Sequence, residues 1–84
     1  MSHILPSVTT NGTSKARLMG QQINMLHGLR EARSWIVDAE PNSRDYVGRM
    51  EDWRVVRAAH IARLGQIDAM IAEIEAYSEA LDQM

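Results

Sequence analysis

Residues 38–43 read Asp38-Ala39-Glu40-Pro41-Asn42-Ser43, and this stretch decides the fold. Pro41 has no amide hydrogen, and its ring clashes with a preceding helical turn, so no helix runs through it undisturbed. It also pushes Glu40 out of helical geometry. Asn42 then reads as an N-cap, with Asp45 three residues on as a variant of the capping box. Helical periodicity lies on both sides of this break. So short a link predicts antiparallel neighbours, an αα-hairpin.

Upstream, the pattern predicts a first helix over about residues 14–38, with Thr13 or Ser14 as cap. Leu18, Met25, Leu29, Ala32 and Ile36 fall within roughly 60° of one another at 100° per residue, a core stripe. Beside them lie Ala16, Met19, Ile23 and Leu26, with Arg30 and Arg33 on the same flank one or two turns later. A lone hairpin needs one stripe, so the second set is a candidate contact with another chain. Gly20 and Gly28 each weaken the helix by about 1 kcal/mol relative to Ala, and they permit close helix approach or mark a bend.

Downstream, the pattern predicts a second helix over about residues 43–82. It carries a heptad frame. One core position reads Tyr46, Trp53, His60, Ile67, Ile74, Leu81, and the other Met50, Arg57, Leu64, Ile71, Ser78. Ala58, Gly65 and Ala72 are small residues beside the seam. Val56, Met70 and Tyr77 widen its apolar face, which suits a bundle better than a strict two-stranded coil. This helix is roughly 60 Å long against roughly 37 Å for the first. The expected packing covers the part nearest the turn and leaves residues 68–84 projecting. An uncovered apolar stripe is expected to be an interaction site. The expected anchors are Trp53, Leu64, Ile67, Met70, Ile71, Ile74, Tyr77 and Leu81. Residues 1–12 carry no helical period and read as an extended N-terminal arm. The arm is either frayed or docked on a neighbour through Ile4, Leu5 and Val8. The expectation is thus an all-α fold, with a single helical-hairpin domain over 13–84 behind the arm.

With 84 residues and no cysteine, the chain cannot use disulfides or thiolate metal sites as a staple. Oligomerisation or docking takes that role. The formal net charge is −2, which argues against global attraction to nucleic acid or an anionic membrane. All nine bases lie between Lys15 and Arg63, and after Arg63 come five acids and no base. Four of these, Asp68, Glu75, Glu79 and Asp82, fall within about 60° on one helix face. The stripe is either a solvated flank or a contact for a basic partner. Arg57 and His60 sit among apolar seam residues. They either snorkel at its edge, with Arg57 in stacking reach of Trp53, or select register and partner by pairing with an acid on another helix. In the second case His60 would make assembly pH-sensitive.

The chemistry-bearing patterns are thin. His27 and Glu31, one turn apart, make half a metal site at best. Arg44, Arg49, Arg54, Arg57 and Arg63 point in several directions around the helix, and acids interleave them, which disfavours nucleic acid. No phosphate loop, nucleophile elbow or Ser/His/Asp constellation occurs, so neither an enzyme nor a cofactor or small-molecule substrate is expected. No apolar run approaches a membrane span, and Met1–Pro6 lacks the pattern of a signal peptide. The expectation is a cytoplasmic protein, or one within a particle assembled there. The favoured role is a helical assembly module, a subunit of a homo- or hetero-oligomeric particle such as a phage virion or secretion-type assembly. Its partner would be itself or another protein along the second helix. The alternative is a small regulatory inhibitor that presents the acidic stripe to a basic target. A basic-helix nucleic-acid binder comes third.

Overall fold

The computed structural model describes residues 3–84; Met1 and Ser2 of the arm lie outside the described residues. The architecture is all-helical. Helix α1 spans Lys15–Asp38 and helix α2 spans Met50–Asp82, and the two pack against each other. A single 3-10 turn, Ser43–Tyr46, lies between them. The molecule is a rod of 64 × 23 × 17 Å. Among the described residues no helix is long and apolar enough to cross a membrane.

Ser14 caps α1, its hydroxyl accepting from the Arg17 amide at 3.1 Å. At the break Asn42 acts as a cap, but of the 3-10 turn: its side-chain oxygen accepts from the Arg44 amide at 2.9 Å. The expected continuous helix from residue 43 is corrected here. Val47 is extended at ψ 127°, and Gly48 takes φ +77°, in the left-handed region. Helix α2 therefore begins seven residues later than periodicity alone suggests. Arg49 opens it without a side-chain cap, and Glu51 and Asp52 place negative charge in its first turn.

Gly48 yields a test. A Cβ there would meet no neighbouring atom, so any cost of substitution comes from the backbone. Gly48→Ala is expected to lower stability by about 1 kcal/mol, with Gly48→Asn milder. Equal denaturant midpoints for Ala, Asn and wild type would refute the strained turn.

The packing order along the rod is the main correction. Lys15 donates to the backbone carbonyls of Asp82 and Met84 at 2.7 and 3.1 Å, and Arg33 bonds Asp68. Helix α1 thus lies on the C-terminal part of α2, from about residue 63 onward at 1.5 Å per residue. Residues 68–84 do not project; they are the covered segment. The excess length of α2 emerges at its N-terminal end. There the connection runs roughly 20 Å back along the helix, with the Tyr46 ring 6.1 Å from that of Trp53. In this arrangement Arg33 stands opposite Asp68 and Arg30 opposite Glu75, beside the apolar cluster of Leu26, Ile67 and Ile71.

The core is small. Leu26, Ile67 and Ile71 form a buried cluster, with Leu29, Ile36 and Ile74 packed on it. The stripe of α1 is rotated from its expected position. Leu26 is its one buried residue, while Met25 and Ala32 face solvent. The rotation brings the Arg30 and Arg33 flank toward α2. Leu81 is fully buried (0% exposed) one residue from the end of its helix.

Candidate functional site

The two sides of the hairpin differ. On one, Arg33 Nε donates to Asp68 Oδ1 at 2.6 Å, and Nη2 reaches Oδ2 at 3.4 Å. One turn of α1 away, Arg30 lies 3.6 Å from Glu75. Lys15 adds a positive charge at the C-terminus of α2, where unsatisfied carbonyls favour a cation. Two of the four residues in the acidic stripe, Asp68 and Glu75, are therefore paired within the chain. Glu79 and Asp82 make no side-chain ion pair among the described residues and stay exposed.

The hydrogen bond from Arg33 holds the Asp68 carboxyl below its ordinary value of 3.8; the nearby guanidinium charge adds to this, and partial desolvation opposes it. The folded pKa is depressed, so the stabilising contribution is full above pH 3.8 and is lost as pH falls below that value. Both side chains are half exposed, so the effect is small and screened by salt. Asp68→Asn is expected to flatten the acid limb of the stability curve below about pH 4 and to leave the curve above pH 6 parallel to wild type. Urea melts across that range measure this. An unchanged acid limb would deny the pair its role.

The opposite side carries no ion pair between the helices among the described residues. It is an open apolar groove of about 350 Å³ lined by Met25, Gly28, Leu29, Met70 and Ile74. Gly28 leaves a notch in its wall, since a Cβ there would touch nothing. At the level of Tyr77 the arm comes down: the His3 ring meets the Tyr77 ring edge-on at 5.8 Å. Within the arm, Leu5 is half-buried while Ile4 and Val8 are exposed. The arm thus lies on its own chain.

The expected anchors divide accordingly. Ile67, Ile71 and Leu81 are buried within the chain, and Trp53, Leu64, Ile74 and Tyr77 are half-buried; Met70 is exposed in the groove. His60 is buried (5% exposed), level with the connection rather than at a seam open to another helix. Arg57 is exposed, and the cation–π contact on this part of the rod is Arg49 over Tyr46, at 5.4 Å. Arg49 also pairs with Asp52, and Arg54 with Glu51, so the arginines here are interleaved with acids in space as in sequence. His27 and Glu31 face solvent, and no cluster of three metal-ligating side chains forms among the described residues.

Sequence reasoning missed two apolar areas. One is the groove, which needed the rotation of α1 to be seen. The other is the end of the rod beyond α1, where Val47, Met50, Val55 and Ile61 are exposed, with Trp35 exposed near the end of α1. No family model matches the chain, and neither a curated protein nor a solved structure matches it.

Proposed function

We propose that this chain is a non-enzymatic helical assembly module, associating with copies of itself or with another helical protein. Its place would be as a small structural subunit of a larger particle, of the virion or secretion-assembly kind, in the cytoplasm or in a particle built there. The observation that carries this reading is the imbalance of apolar surface. Among the described residues four apolar side chains are buried, Leu26, Ile67, Ile71 and Leu81, while Trp35, Met50, Val55, Ile61 and Met70 remain exposed. Isolated exposed apolar residues are ordinary, but a core this small leaves a lone hairpin marginal. Association through apolar faces supplies the missing burial.

Light scattering after size exclusion, at low salt and at about 0.5 M, tests the reading together with thermal melts at several protein concentrations. A salt-resistant oligomer whose melting temperature rises with concentration is the expected result. A monomer with concentration-independent melting would overturn self-assembly and leave a different helical protein as the partner. The regulatory alternative has lost ground, because Arg33 and Arg30 already occupy Asp68 and Glu75.

A further inference from the structure

Met70 lines the open groove, and two charges flank it on the same side of α2. Arg63 is seven residues before it and Glu73 three residues after, and at 100° per residue all three fall within roughly 80°. Asp68, paired with Arg33, falls on the far flank, about 160° from Met70. Arg63 and Glu73 are exposed, and neither has an ion-pair partner among the described residues. They lie about 15 Å apart along the axis. Their midpoint is the level of residue 68, about 3 Å from that of Met70.

This pattern is self-complementary. We infer that the groove of Met25, Gly28, Leu29, Met70 and Ile74 takes a second copy of this chain, its α2 antiparallel to the first, with Arg63 of each copy facing Glu73 of the other. An antiparallel two-fold through the level of residue 68 forms both ion pairs at once and places the two Met70 side chains close to the axis. The two hairpins then bring four helices alongside one another over about 15 Å around the axis, a short helical bundle. The notch at Gly28 admits the incoming helix without a Cβ in its path. A flexible methionine in the groove suits a surface that must repack on association. The side bearing Arg33–Asp68 and Arg30–Glu75 stays outward, since those charges are already satisfied. The inference rests on the assembly reading and narrows it to one face, one partner and one register.

Sedimentation equilibrium of the full chain at low salt tests it, with far-UV circular dichroism as the folding control. Met70→Asp is expected to give a monomer that keeps the wild-type helical signal. Arg63→Glu, and separately Glu73→Arg, should each weaken association by about 10-fold, because each places two like-charged pairs across the two-fold. The double variant Arg63→Glu/Glu73→Arg restores opposite charges and should return to within about 3-fold of wild type. Conservative Arg63→Gln and Glu73→Gln changes keep the test alive if a reversal disturbs folding. A wild-type dimer indifferent to all these changes would overturn the groove and the register while association itself stands. A wild-type monomer at sub-millimolar concentration would overturn self-assembly altogether.

Discussion

Ile71→Asp is expected to abolish the hairpin. Ile71 is buried in the cluster with Leu26 and Ile67, on which Leu29, Ile36 and Ile74 pack. A carboxylate there would need either a buried charge or a raised pKa, and both are costly. Its surroundings add to the penalty. Asp68 lies three residues before and Glu75 four residues after, one turn away on either side, so the new charge meets two like charges. The arginines that serve those two acids are already engaged. The expected spectrum is that of a largely unfolded chain, with no cooperative melt. Ile71→Val, by contrast, should cost about 1 kcal/mol and keep the fold. Should Ile71→Asp retain the wild-type spectrum and transition, the two helices do not pack through this face.

Leu81→Ala is expected to cost about 2–5 kcal/mol, as large a loss as any single truncation in this chain. That is unusual for a residue in the last turn of a helix, where fraying is the rule. Here the last turn is held. Lys15 bonds the carbonyls of Asp82 and Met84, and the arm descends nearby onto Tyr77. Leu81 is fully hidden from solvent. Urea unfolding should show a lower midpoint with an unchanged slope. Ile4→Ala, at a side chain 96% exposed, should move the midpoint by less than about 0.5 kcal/mol equivalent. Equal effects of the two truncations would mean that the end of α2 is loose.

The hairpin itself was legible from Pro41 and the two periodicities, because a proline and an apolar stripe act locally. The cap of the first helix was legible to within one residue, Thr13 or Ser14, for the same reason. What escaped was everything set by pairs distant in sequence. The heptad frame runs through Val47-Gly48 without a gap, so periodicity hid the break; the cue was the glycine itself beside a β-branched residue. The part of α2 that lies under α1 is the part where Arg30, Arg33 and Lys15 meet Glu75, Asp68 and the helix C-terminus. The acids were visible as a stripe and the arginines as a flank. Their matching required the two lists to be set against each other in antiparallel order. The candidate site suffered most from this. Residues expected to await a partner, Ile67, Ile71 and Leu81, are spent on the core, while Met70 and Ile74 were named on the right helix but for an uncovered stripe rather than a groove.

The way α1 lies on the far part of α2 also governs how the chain can fold. The nearest ion pair across the two helices joins residues 35 apart in sequence, and the Lys15 bonds join residues 67 and 69 apart. A tight αα-hairpin would zip outward from its turn, each contact shortening the next loop. Here the chain must first close a loop of roughly 30 residues before any helix–helix contact rewards it, a cost that grows with loop length. Stiffening the first turns of α2 shortens that search, because a formed helix carries residues 63–82 as one lever. Helix-favouring substitutions on the exposed face of residues 50–62 should therefore speed refolding while leaving the unfolding rate nearly unchanged.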